Sequence, residues 1–268
     1  MTALLGSTHP GPALAVTLLA ALLAAARGLT VTDAVIVTAA VLTGQLSIGW
    51  GNDLVDVDRD RAVGRTDKPL ASGLVSESWV RGALAAAGAA CVVLSLATGW
   101  RSGLVHLGLL VAMGHAYNLG LKATIWSWVP YAVAFGSLPA VVSLADSSPG
   151  SPGAWPAWWL MAAGAALGVG AHLLNALPDL ADDARTGVRG LPHRLGGPTS
   201  RIVAAALLVG ASLLAALGPV GGVPPWAVAA LVAVVALGLV AAFGPGRRPF
   251  QAAIVVALLD VVLLVAAG

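Results

Sequence analysis

From residue 11 to residue 267 the chain is a succession of apolar runs, each close to the length an α-helix needs to cross a bilayer. Nine can be marked, at roughly 11–27, 31–50, 79–99, 102–120, 126–145, 155–175, 200–218, 224–243 and 250–267. In hydrocarbon every backbone N–H and C=O must find a partner within its own segment, so such runs fold as helices. Only 10% of residues are charged and 58% are hydrophobic, whereas a soluble chain carries about a quarter charged residues. The expected class is therefore all-α: a polytopic membrane protein of nine transmembrane helices. No linker or low-complexity stretch divides it, so residues 1–268 read as one domain.

The N-terminal stretch has the apolar look of a secretion signal but lacks a basic start. It reads as a short polar lead into the first crossing, with Pro10 and Pro12 near that helix's beginning. Cys91 is the single cysteine, which excludes an internal disulfide and a thiolate metal site. Its apolar surroundings make it a small buried hydrophobe.

Charge orients the crossings. With the N-terminus in the cytoplasm, 12 of the 14 basic residues fall in cytoplasmic loops, and only Arg27 and Arg101 fall outside. Basic residues gather on the cytoplasmic side of membrane proteins, so the chain is expected in a plasma or inner membrane with that orientation. An even number of crossings would destroy the pattern. Trp126, Trp128, Trp155, Trp158, Trp159 and Trp226 lie near run ends, where an interfacial aromatic belt accounts for most of them.

The charge that remains is concentrated. The stretch GNDLVDVDRDRAVGRTDKPLASG, Gly51 to Gly73, holds five aspartates, three arginines and a lysine. On a helix, Asn52, Asp56 and Asp60 share one face, and Asp53 can join them. Like charges at this spacing repel unless cations sit among them. A second stretch, His172 to Gly196, repeats the pattern with Asn175, Asp179 and Asp183. The offset of 123 residues also superposes Gly64 on Gly187, Pro69 on Pro192 and Gly73 on Gly196. Six coincidences at one offset point to a diverged internal repeat. Both stripes would lie on one side of the membrane, after the second and sixth crossings, able to face each other. Carboxylates beside hydrocarbon are costly and gather around partners or ions. Facing clusters of hard oxygen ligands suit Mg²⁺, whose shell is commonly completed by substrate phosphates. The neighbouring arginines and lysines suit phosphate oxygens.

These residues resemble the UbiA superfamily of intramembrane prenyltransferases. Asn52 to Asp60 is similar to that family's NDxxDxxxD signature, and Asp179 to Asp183 to its DxxxD signature. The resemblance extends over essentially the whole chain. It implies two Mg²⁺ ions bridging the diphosphate of an isoprenoid donor, in a cavity roofed by two loops and open sideways to lipid. Asn52, Asp56 and Asp60 would serve one metal cluster, with Asp53 in support, and Asn175, Asp179 and Asp183 the other. Arg61, Arg65, Lys68, Lys122, Arg185 and Arg189 would meet the diphosphate. Lys68 stands where the family usually has arginine, losing the two-pronged contact. The segment YNLGLK is similar to the family's Tyr/Lys segment, placing Lys122 at the diphosphate and Tyr117 near the reacting carbon. The catalytic set so implied is Asp56, Asp60, Asp179, Asp183 and Tyr117.

The chemistry follows. Metal and cations neutralise a departing diphosphate, the allylic C–O bond ionises, and a dry cavity protects the cation until an acceptor traps it. The expected partners are a prenyl diphosphate, an aromatic or lipophilic acceptor and the bilayer, with no nucleic acid. A terpene cyclase of the same family would ionise the same donor but needs several cavity aromatics. With three Phe and two Tyr in the chain, cyclisation is the weaker expectation. A transporter or lipid-binding scaffold would place its polar site near the bilayer midplane, unlike these stripes. His106, His115, His172 and His193 read first as structural, although His172 lies one turn before Asn175. Trp50 can face a carbocation or mark the interface. Asp260, inside the last run, has no role in this scheme.

Overall fold

The structure, a computed structural model, describes residues 2–145, 153–219 and 225–267, with backbone only for 225–226 and 261–267. Trp226, expected at an interface, thus lies outside the described side chains. The described residues form helices and their connections, without strands. A short α1 (Thr2–Gly6) leads into α2 (Pro10–Ala26), which begins with prolines at its first positions, where a missing N–H costs nothing. α3 (Val31–Ala62) starts at Thr30, whose hydroxyl accepts from the Asp33 amide. It then runs on beyond its apolar segment through the whole first acidic stripe.

α4 (Glu77–Ala97) follows. The fourth apolar run is helical but not uniform. α5 (Trp100–Val105) passes into a π-helical turn, His106–Val111, and resumes as α6 (Ala112–Asn118). His106, which opens that turn, is fully buried with its Nδ1 2.7 Å from the Ser95 hydroxyl of α4. Two 3₁₀ turns, Leu121–Ala123 and Ile125–Trp128, lead into α7 (Val129–Leu144).

The second half differs from the first. α8 (Trp158–Asn175) stops at the second acidic stripe. A 3₁₀ turn, Leu177–Asp179, and the short helices α9 (Leu180–Arg185) and α10 (Leu191–Leu195) take over. Pro178 sits in the 3₁₀ turn and has no N–H with which to continue the α8 ladder. The expectation that Asn175, Asp179 and Asp183 share the face of one helix is therefore corrected: they follow a helix, a tighter turn and a new helix. α11 (Gly197–Leu217), α12 (Pro225–Phe243) and α13 (Arg248–Ala267) complete the chain.

Neighbours in sequence pack together and the last helix returns to the first. α2 packs on α3, α3 on α4, α5 on α7, α7 on α8, α8 on α11, α11 on α12, α12 on α13, and α13 on α2. One end of this ring is filled by Leu19, Leu23, Val37, Val41, Leu138 and Val142, all buried. Filling that end with apolar side chains leaves the polar chemistry to the other. The outward faces carry exposed Leu, Val and Trp side chains, among them Val31, Val93, Trp100 and Leu119. Five described helical segments, Val31–Ala62, Glu77–Ala97, Ile125–Leu144, Trp158–Arg185 and Gly197–Leu217, are long and apolar enough to cross a membrane, while Pro10–Ala26 and Ala227–Phe243 are shorter apolar helices.

Trp50 has a structural role. Its indole donates to the Leu4 carbonyl at 2.9 Å and its ring packs with Val57 and Val80. It ties α1 across α3. The chain passes so close there that a Cβ on Gly49 would collide with the Thr8 carbonyl. Cys91 is buried, as expected. Asp260 of α13 is buried, and neither of its carboxylate oxygens has a hydrogen-bond partner among the described residues.

Candidate active site

The first stripe is a set of buried carboxylates with cations docked among them. Asp53, Asp56 and Asp60 are each at most 5% exposed on α3. Lys122, from the 3₁₀ turn after α6, brings its Nζ to 2.5 and 2.6 Å from the two Asp56 oxygens. Arg59 adds an Nη2 contact at 2.6 Å to Asp56 Oδ2. Lys68 spans Asp53 at 3.2 Å and Asp60 at 3.0 Å. The repulsion inherent in the stripe is thus cancelled by one arginine on its own helix and two lysines from loops.

Amides fix the remaining geometry. Asn52 donates to Asp56 Oδ2 and to Asn118 Oδ1, each at 3.1 Å, and Asn118 donates to the Ile48 carbonyl at 2.9 Å. His9 Nε2 lies 3.2 Å from Asp53 Oδ1, so the segment before α2 also reaches the stripe. Burial works against the Lys68 charge, but Asp53 and Asp60 outweigh it and hold the amine above its ordinary range. At Lys122 burial wins: the amine lies below its ordinary range although Asp56 opposes the shift.

The second stripe is looser. Asp179 and Asp183 keep 43% and 26% of their side chains exposed. Asp179 meets Arg65 at 3.0 Å, a contact that reaches across from the loop after α3. Arg65 also grips Asp67 with two prongs, at 2.8 and 2.9 Å. Hydrogen bonding to Asp67 holds the Arg65 guanidinium fully charged and drops the Asp67 carboxyl below its usual range. Asp183 has His193 at 3.6 Å, whose imidazole burial lowers. The fields of Arg59 and Lys122 also reach Asp183. The two stripes therefore face one another over a common set of cations.

Below this mouth lies a partly buried aromatic group. The Tyr117 and Tyr131 rings meet edge to face at 5.2 Å, and His172 lies 4.7 Å from Tyr131 and 5.7 Å from Tyr117. Phe135, one turn along α7 from Tyr131, stacks on it at 6.3 Å. Asn175 closes α8 one turn after His172 and lies beside Tyr131, joining the second stripe to this group. His172 Nε2 is 3.0 Å from the Ser127 hydroxyl, which accepts from the Leu191 amide at 2.8 Å.

Most of the expected residues are brought together: Asn52, Asp53, Asp56, Asp60, Lys68 and Lys122 in one knot, Asp179 and Asp183 opposite, Arg65 between them, and Asn175 and Tyr117 beneath. Three arginines stand apart. Arg61 turns to Glu77 at 3.2 Å, and Arg185 to Asp182 at 2.6 Å. Arg189 is exposed, with its carbonyl engaged by Arg194. Arg59, Asn118, His9, Tyr131 and Phe135 were not foreseen. Arg59 was readable, since it follows Asp56 by three residues on the same helix; the others depend on contacts between helices.

The donor set can be tested against Mg²⁺. Among the described residues no three acidic, histidine or cysteine side chains form a ready-made metal cage. Asp53 nevertheless keeps a buried oxygen, Oδ2, without a hydrogen-bond partner. The carboxylates otherwise bind amines and guanidinium groups that an arriving anion can draw away. Hard oxygens without a closed cage fit magnesium, which takes one or two carboxylates and leaves positions for water and phosphate.

Comparison with known proteins agrees with this geometry. The model of the UbiA prenyltransferase family matches residues 13–262. A 4-hydroxybenzoate octaprenyltransferase of Pseudoalteromonas atlantica is 31% identical over 141 residues, which is 52% of this chain and 47% of that protein. The match thus spans about half the length of that relative. The apo structure of a UbiA homolog from Aeropyrum pernix K1 superposes with a TM-score of 0.76 at 20% identity, over 96% of this chain and 98% of the other. A UbiA homolog from Archaeoglobus fulgidus bound to GPP and Mg²⁺ gives 0.71 at 17% identity, over 99% of each chain.

Proposed function

The chain belongs to the UbiA prenyltransferase family, and from that premise we propose that it transfers a prenyl group from an isoprenoid diphosphate to an aromatic or lipophilic acceptor, with Mg²⁺. We propose further that nine helices cross the membrane as two related halves, with the N-terminus and both motif loops cytoplasmic. The observation that carries the reading is the meeting of the two stripes through Arg65, with Lys122 and Lys68 seated among buried carboxylates. An arrangement of cations held only by exchangeable ion pairs suits a polyanion.

Asn52, Asp56, Asp60, Asn175, Asp179 and Asp183, with Asp53 in support, would hold the metal, two ions in this reading. Bound there, Mg²⁺ supplies charge neutralisation to a diphosphate leaving group. Lys122, Lys68 and Arg65 add fixed positive charge where negative charge grows. The allylic C–O bond breaks, its electron pair leaving with the diphosphate. The Tyr117 and Tyr131 rings, beneath the mouth, would set an aromatic wall beside the resulting cation. The acceptor forms the new bond and gives up a proton. Arg61, Arg185 and Arg189, paired or pointing elsewhere, stand outside this set.

One observation favours a second reading, a terpene cyclase. Counting aromatics argues against it, yet both tyrosines of the chain gather in the site with Phe135. Diphosphate release by purified protein across a donor panel, with and without membrane extract as acceptor source, tests both. Transfer predicts release that needs Mg²⁺ and the extract. Cyclisation predicts release without extract and a cyclic hydrocarbon product. Asp56→Ala and Asp179→Ala should each lower release by about a hundredfold or more. Release indifferent to both substitutions would end the enzyme reading.

A further inference from the structure

We propose that Phe135 sets the length of prenyl chain the protein accepts, by closing the path that leads from the aromatic group into the interior. This rests on the transferase reading above and names a property that reading leaves open.

α7 descends from the mouth into the packed end of the ring. Tyr131 lies in its first turn and Phe135 one turn deeper, about 6 Å along the axis. Their rings are nearly parallel, 14° apart, so Phe135 forms a floor beneath the tyrosines. Beyond that floor the interior holds two small apolar voids, and Phe135 and Leu138 line both. One lies among Leu19, Leu23, Leu160 and Leu167, with Asp260 on its wall. The other lies between Val16, Leu110 and Ala134. None of the motif aspartates, Lys122, Tyr117 or Tyr131 lines either void. Phe135 is thus what the site and both voids have in common.

The ring is also held in place. A Cβ on Gly168 of α8 would stand 2.7 Å from Phe135 Cβ and 2.9 Å from its Cγ, and one on Gly164 would stand 2.5 Å from its carbonyl oxygen. Those two glycines form a socket that keeps Phe135 against α8. A donor whose diphosphate sits at Lys122 and whose reacting carbon lies under Tyr117 directs its tail toward this floor. Short tails end above it. Longer ones need the space that the ring occupies, since a well-packed interior does not yield a methylene's volume freely.

The test is kcat/KM for diphosphate release, with Mg²⁺ and membrane extract as acceptor source, from donors of one, two, three and four isoprene units, for the wild type, Phe135→Ala and Leu138→Ala. The wild type should favour one or two units, with a fall of about tenfold or more at three and four. Phe135→Ala should move the optimum to three or four units by a similar factor. Leu138→Ala enlarges the same voids but keeps the floor, so its ranking should match the wild type. Thermal unfolding of each variant in detergent accompanies the rates, and Phe135→Leu replaces Phe135→Ala should the latter not fold. An unchanged ranking in the Phe135 variant would overturn the proposal and show that the tail leaves sideways between helices into lipid. Should the wild type release no diphosphate from any donor, the transferase reading fails. Binding of inert thiolodiphosphate analogues of the same lengths then still decides the role of Phe135: a length preference that Phe135→Ala shifts upholds it, and equal binding of all lengths overturns it.

Discussion

The two acidic stripes match in sequence at Asn52, Asp56 and Asp60 and, 123 residues on, Asn175, Asp179 and Asp183, yet they are built differently. The first rides an unbroken helix of 32 residues, and its aspartates are buried under docked cations. The second follows the end of a helix, a 3₁₀ turn and a fresh helix, and its aspartates remain partly open to water. The same ligand types can thus be supplied once as a rigid, neutralised platform and once as an adaptable counterpart. A rigid half lowers the ordering cost of binding. A looser half can close on the diphosphate once it arrives.

The largest effect expected from this contrast is on stability at Asp56. Asp56→Ala should destabilise the protein by about 3–5 kcal/mol, because it strands the buried Lys122 charge and leaves the half-buried Arg59 without its partner. Asp179→Ala removes one half-exposed ion pair and should cost no more than about 1 kcal/mol. Both should abolish diphosphate release. Chemical unfolding in detergent, beside the release assay, checks the pair, and equal stability losses would break the comparison.

Lys122→Met comes next. It removes a cation from Asp56, so release should fall by about a hundredfold. Asp56 would at the same time lose a competitor for metal. Metal binding measured without any donor, for instance by Mn²⁺ resonance, should therefore tighten in the variant. Weaker binding would mean that Lys122 organises the carboxylates more than it competes for them.

Arg65→Lys should act more mildly, by about tenfold in KM for the donor with kcat nearly kept. Lysine can reach Asp179 or Asp67 but cannot grip Asp67 with two prongs while meeting Asp179. A fall in kcat alone would assign Arg65 to the ionisation step instead.

What could be read from sequence follows the same division. The apolar runs fall within helices to a few residues: 11–27 in Pro10–Ala26, and 79–99 in Glu77–Ala97. Hydrophobic length alone sets those boundaries. The first stripe was legible because its spacing matched a helix that does continue. The second was misjudged in its backbone, since i, i+4 spacing carries no notice that Pro178 would shift the register. That Lys68 and Lys122 come to the carboxylates of the first stripe was legible, because their loops return to it. The aim of Arg61 was not legible: it points to Glu77 while Arg59, two residues earlier, points to Asp56. The aromatic floor could not be read at all. Phe135 reaches its place because α8 presents Gly164 and Gly168 there, and no local pattern in α7 encodes that.

The smallest change tests whether the break in the second stripe matters. Pro178 is exposed, and in the 3₁₀ turn it separates Asn175, at the end of α8, from Asp179. Pro178→Ala restores an N–H that can bond within a continued α8, while the unfolded chain gains some freedom. The net change in stability should stay within about 1 kcal/mol. A straightened helix, however, would rotate Asp179 relative to Arg65 by the difference between three and 3.6 residues per turn. If the turn aims Asp179 at the other half, release should fall by about tenfold with unfolding nearly unchanged, and a shift in the Mg²⁺ concentration for half-maximal rate should accompany it. Full activity with unaltered metal dependence would make the proline an accident of the second half, and the contrast between the stripes would then reduce to burial alone.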